Sequence, residues 1–109
     1  MLRVKDNQVY DADFGMIIKN PAMVVDTKSG DILKIWDKDT VDSWYEYTLS
    51  KCKDAKKWKY VDFKGLSSQE ICTLHNFGMT CNKTEFIRII NIKDDTIHKE
   101  LKILHDRGY

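Results

Sequence analysis

No apolar run in this sequence approaches the roughly 20 residues that a membrane-crossing helix needs. The opening Met-Leu-Arg-Val-Lys-Asp-Asn-Gln has no long apolar core of the secretory type, so a cytoplasmic protein without membrane contact is expected. Cysteine is scarce: Cys52, Cys72 and Cys81 are odd in number and form no C-x-x-C, which argues against a disulfide framework or a zinc ribbon. Also missing are G-x-S-x-G, the P-loop, H-E-x-x-H and the Gly-rich dinucleotide fingerprint. The chain is therefore expected not to be an enzyme and to carry no cofactor. A thiol–imidazole pair such as Cys72 with His98 is the remaining catalytic option, because such pairs meet in space rather than in sequence. There is no low-complexity segment and no linker. Phe-Gly-Met occurs at 14–16 and at 77–79, but the flanks differ and no repeat follows.

What is present fits one folded domain spanning 1–109. Hydrophobic residues make up 42% and charged residues 32%, a globular rather than a disordered balance. Net charge is +1, unevenly spread. Residues 1–50 hold 6 Lys/Arg against 9 Asp/Glu (−3), and residues 51–109 hold 12 against 8 (+4). The pattern divides the chain into a strand-rich part, 1–38, and a helical, basic part, 39–109. Basic residues are 15 Lys against 3 Arg, beside 11 Ile. An AT-rich genome tends to give such usage, and a small lone domain from one suits a phage, a plasmid or another mobile element.

Met16–Lys19 is short and apolar, and Asn20-Pro21 signals a turn. Ala22–Asp26 and Asp31–Trp36 flank Thr27-Lys28-Ser29-Gly30 and predict a β-hairpin. Leu2–Val4 and Val9–Phe14 read either way. Val41, Trp44, Tyr45, Thr48, Leu49 and Cys52 fall on one face of a helix capped by Asp39 or Thr40, so Trp44 and Leu49 are expected in the core. Lys56–Lys64 reads as extended. Ser67-Ser68-Gln69-Glu70 is a capping box for a helix whose inner face is Ile71 and Leu74, with His75 as a further candidate, ended by Gly78 in a left-handed conformation. Thr84–Lys93 suits a strand by its isoleucines or a helix by Phe86, Ile87 and Ile90. Asp94 or Asp95 caps a last helix with Ile97, Leu101 and Leu104 inward and Gly108 past its end.

With Gly78 in the turn, Glu70–Phe77 forms a supporting helix around Leu74. A second helix starts at Cys81 or Asn82 and packs back through Ile87 and Ile90. This layout resembles the helix-turn-helix of bacterial transcription and plasmid regulators. The resemblance implies that the second helix enters the major groove, with Thr80, Asn82, Lys83, Thr84 and Arg88 outward. Asn can read adenine and Arg guanine, while Lys and Thr can hold phosphates. The order of elements from residue 41 onward is similar to a winged helix. The sequence ends soon after Gly108, so a wing is expected from the earlier hairpin, with Lys28 at its tip.

Lys51–Lys64 carries six lysines against Asp54 and Asp62, interleaved with Trp58, Tyr60 and Phe63. Alternation predicts Trp58 and Tyr60 on one strand face and Lys57 and Lys59 on the other. Lys56, Lys57 and Lys59 could then meet backbone phosphates. Cys72, His75 and Cys81 with His98 or His105 match no familiar zinc spacing. Asp37-x-Asp39-x-x-Asp42 lacks the Gly and Glu of a calcium loop, so no metal is expected. The expected fold is α+β: an N-terminal β-hairpin or small antiparallel sheet with a helix-turn-helix, winged-helix-like C-terminal half. The expected function is non-catalytic binding of double-stranded DNA as a homodimer: a regulator, partition, conjugation or replication accessory protein. The alternative is a protein-binding module, such as an inhibitor of a host enzyme.

Overall fold

The computed structural model describes residues 1–80 and 82–109. The fold is α+β, with two small antiparallel sheets and four α-helices. β1 (Leu2–Lys5), β2 (Gln8–Asp11) and β3 (Met16–Ile18) form a meander. β4 (Pro21–Asp26) lies at the centre of the second sheet, between β5 (Ile32–Asp37) and β6 (Trp58–Val61). β4 and β5 are the hairpin expected from the sequence.

The single N-terminal sheet expected as one alternative is corrected to two sheets. Leu2–Val4 and Val9–Phe14 read either way by pattern. Leu2–Val4 lies in β1, and of Val9–Phe14 only the part to Asp11 is strand, the two strands being joined by Asp6 and Asn7, both at positive φ (52° and 61°). That pair makes the tight turn whose twist matches a β-hairpin, and Asp and Asn tolerate it better than other side chains. The second sheet is completed by β6, which pairs Met23 with Val61 and Asp26 with Trp58. Lys56–Lys64 is thus extended only in part, because a short 3-10 helix, Lys53–Lys57, precedes β6.

β4 is buried on both faces. Met23 and Val25 join the main core, whereas Ala22 and Val24 face a smaller cluster with Val41. The smaller cluster lies under α1 (Lys38–Leu49). Here Trp44 stacks on Trp58 (centroids 5.6 Å apart) and Tyr45 on Tyr60 (5.8 Å). The alternation expected here holds for Trp58 and Tyr60, both toward α1, and for Lys59 on the other face, whereas Lys57 belongs to the 3-10 helix and not to the strand. Leu49 corrects the expected stripe: it is 46% exposed, and Trp44 is half-buried. The helix ends at Leu49, and the aromatic pairs that cover the sheet are made by the turn before it. The helix also starts earlier than expected, after Asp37. That side chain does not cap α1 and instead accepts the Lys19 N–H (2.9 Å).

The main core is covered by α2 (Ser68–Gly78), α3 (Lys83–Ile90) and α4 (Thr96–Asp106). The capping box of α2 is complete: Glu70 N–H donates to Ser67 Oγ and Ser67 N–H to Glu70 Oε1. The segment that suited either strand or helix is helical. Asn82 Oδ1 accepts the Glu85 N–H, and Phe86, Ile89 and Ile90 are buried at one-turn spacing. Burial of that face outweighs the weak helix propensity of β-branched residues. Ile87, expected to pack inward, is only half-buried. In α4, Leu101 and Leu104 are buried as expected, and Gly108 past its end takes φ +101°.

Gly78 is the clearest departure. It is the last residue of α2 and has ordinary helical geometry rather than a left-handed conformation. A Cβ there would sit 2.6 Å from the Phe86 ring and 3.0 Å from Ile32 Cδ1. Glycine is needed for close approach, because α3 and β5 both press against this turn. Gly78→Ala should therefore cost about 1–3 kcal/mol in urea melts. Leu74→Ala, in the sealed core, should cost about 2–5 kcal/mol. Leu49→Ala should stay within about 0.5 kcal/mol of the parent.

Candidate functional site

The tip of the β4–β5 hairpin organises the basic residues singled out in the sequence. Asp26 fixes the tip: its carboxylate accepts the N–H groups of Lys28 (2.8 Å) and Ser29 (3.2 Å). Gly30 at φ +78° lies so close to α3 that a Cβ would sit 2.7 Å from Lys83 Cβ. On the other side, Thr27 N–H donates to the Lys57 carbonyl (2.9 Å), and the Thr27 hydroxyl donates to the same oxygen. Lys59 Nζ donates to Asn91 Oδ1 (2.9 Å) just beyond α3. Three separate segments thus meet at one end of the second sheet, bringing Lys28, Lys57 and Lys83 into one region, with Lys56 next to Lys57 in the chain and Lys59 one step along β6.

The side chains are not equally available. Lys28, Lys56 and Lys57 are exposed. Lys83 folds back to the Gly78 carbonyl (2.6 Å) and lies 3.8 Å from Asp31. Thr80 donates to the Phe77 carbonyl (2.7 Å), and Asn82 is held as the cap of α3. Arg88 binds Glu85 within α3 and Glu100 of α4 (3.1 Å). The Glu85 and Glu100 carboxylates hold its guanidinium firmly charged, with its pKa raised above the usual value. Thr84 is exposed, with no side-chain hydrogen bond among the described residues. Cys81, the other residue read as a start for the second helix and as a metal-ligand option, lies outside the described residues.

A second region was not visible in the sequence. A cleft of about 430 Å³ is lined by residues of β1, β2, β5 and the end of α2, among them Asp11 and His75. Asp11 and His75 are far apart in the chain, and no motif joins them. His75 is nine-tenths buried, which lowers its pKa below the usual imidazole value. Burial pushes the Cys72 thiol up to about 11, so it is a poor nucleophile at neutral pH. Among the described residues no group of three or more His, Cys, Asp or Glu could hold a metal ion, and no helix is long and apolar enough to cross a membrane.

Comparison with known protein families, curated proteins and solved structures finds no match to this chain.

The α2–α4 contact adds an ionisable link. His98 Nδ1 is hydrogen-bonded to Glu70 Oε2, beside the capping box, and this bond raises the His98 pKa. A raised imidazole contributes stability that is full below the unfolded value of about 6.5 and is lost as pH rises through the folded value. His75 has the opposite sign, since its stability is lost as pH falls from about 6.5 toward its lowered folded value. The comparison must therefore be between His98→Ala and its parent. The variant should melt lower near about pH 5.5, with the gap narrowing steadily toward about pH 9. A pH-independent gap would show that the ion pair contributes nothing.

Proposed function

We propose that the protein is a non-catalytic binder of double-stranded DNA. It would hold the phosphate backbone with the lysines around the β4–β5 hairpin tip. The observation that carries this reading is the meeting of the tip, the 3-10 helix and the start of α3, which gathers Lys28, Lys56 and Lys57 with free exposure. Phosphate contacts of this kind position a protein without reading sequence. In this reading α2 and α3 would serve as the helix-turn-helix pair, and the hairpin, which touches the start of α3, would serve as the wing. Base reading through Arg88 would require it to leave Glu85 and Glu100, so in this reading the lysines supply most of the affinity and α3 little of the selectivity. A homodimer would double a small contact surface. A phage- or plasmid-type accessory role fits the chain's size and its lysine- and isoleucine-rich usage.

Replacing Lys28, Lys56 and Lys57 together by Gln should weaken binding to all duplexes alike. It should also flatten the log K against log salt plot by about 0.9 per lost phosphate contact. Fluorescence anisotropy over a salt series measures both. Arg88→Ala should leave discrimination between duplexes unchanged, whereas a loss of about 1–3 kcal/mol in selectivity would restore α3 as the base reader. If the parent binds no duplex at low salt, the DNA reading fails.

A further inference from the structure

The cleft beside β5 has three properties that together specify an occupant. First, β5 is an edge strand that, among the described residues, pairs only with β4. Four consecutive residues of β5, Ile32 to Ile35, line this cleft, and the register shift at Leu33, a β-bulge, breaks the side-chain alternation there. The cleft thus borders β5 on the side away from β4. An open edge is a template for another extended segment.

Second, two polar side chains in the cleft are nine-tenths buried, Asp11 at 8% and His75 at 7% exposure. Asp11 Oδ1 accepts the N–H groups of Asp13 (2.9 Å) and Phe14 (3.2 Å), and Oδ2 has no hydrogen bond within the described residues. Asn76 Nδ2 donates to the Leu2 carbonyl (3.2 Å), so its Oδ1 is the acceptor for His75 Nδ1–H (3.2 Å). His75 Nε2 is then left as a bare acceptor. Neither of these unpartnered atoms is fully sealed, because no sealed side-chain N or O lacks a partner among the described residues. Both residues line the cleft.

Third, the lining carries Asp11 and Asp13 against the Met1 ammonium and Lys34, so its formal charges balance, and what matters is which of them are paired. The Asp13 carboxylate is taken by the Met1 ammonium (2.7 Å). Asp11 has no ion-pair partner among the described residues, and Lys34 on β5 makes no salt bridge to it. Two acceptors without a donor are complementary to an ammonium or guanidinium group. Leu33, Ile35 and Met79 add apolar wall.

We propose that this cleft binds an extended peptide segment of another protein, which pairs with the edge of β5 and places a Lys or Arg side chain on Asp11 and His75 between apolar neighbours. The opposite edge of the sheet, at β6, is a weaker candidate. It too borders a cleft, but Lys59 ties β6 to Asn91 and no nine-tenths-buried polar side chain faces that cleft. The peptide site shares no residue with the lysine set proposed for DNA, so either reading can fail without the other.

The test uses the full chain as bait for displayed random nonapeptides, with Asp11→Asn as the matched control. Asn retains an acceptor for the loop N–H groups, so the control should keep the loop. Peptides enriched on the parent should carry Lys or Arg between apolar residues and should bind Asp11→Asn at least tenfold more weakly. Synthetic copies of the best peptide, methylated at single backbone nitrogens, then test pairing without altering the protein. Methylation at alternate positions should weaken binding at least tenfold, and the intervening positions should stay within twofold. Backbone amide resonances of residues 32–35 should shift on titration. No enrichment above bait-free support, or enrichment without preference for a cationic residue, overturns the proposal. Binding indifferent to methylation at every position also overturns it, because the cleft would then take the side chain alone.

Discussion

The second sheet and both hydrophobic clusters are built around β4. Ala22, Met23, Val24 and Val25 are all fully buried, although they alternate in direction, because both faces of the strand are covered. One face receives α1 and its stacked aromatics, and the other receives the main core under α2 and α3. Its two edges are taken by β5 and β6. A strand so enclosed must be apolar throughout, and the run Ala-Met-Val-Val meets that demand. Placing a charge at any of these positions would desolvate it without a partner, so the segment tolerates less change than any helix around it.

Local signals were read well from the sequence and long-range ones were not. The capping box at Ser67–Glu70, the hairpin around Lys28 and Gly30, and the inward Leu101 and Leu104 rest on neighbours a few residues apart. Their physics is contained in short windows. The pairing of β6 with β4 joins residues on either side of α1, and nothing in either strand names its partner. Gly78 shows how a correct punctuation signal can carry a mistaken reason. A glycine near a helix end is commonly left-handed, but here the Phe86 ring leaves no room for a Cβ. That steric need comes from another helix and leaves no trace in the adjacent sequence. Phe63 is similar: it is buried at φ +57°, a conformation uncommon for a bulky residue, and no local pattern announces it.

The candidate sites divide in the same way. A lysine-rich segment is obvious in the sequence, and so is a polar helix start. That Lys57 and Lys83 flank the same hairpin tip is a property of the fold alone. Arg88 looked free by its position on a helix, but its ion pair with Glu100 depends on how α4 crosses α3. The Asp11–His75 cleft is the extreme case, because β2 and the end of α2 supply one acceptor each. Only the packing of α2 on the first sheet turns two ordinary residues into a site.

The placement of β6 bears on how the chain is made. β4 and β5 can pair as soon as their hairpin has emerged, but β6 follows only after α1 and the 3-10 helix. During that interval the second edge of β4 has no native partner, and contacts between distant segments form slowly. An apolar strand with one open edge can mispair with a neighbouring chain. For the time it takes to synthesise Lys38 to Lys57, the strand that anchors the finished protein is also its weak point.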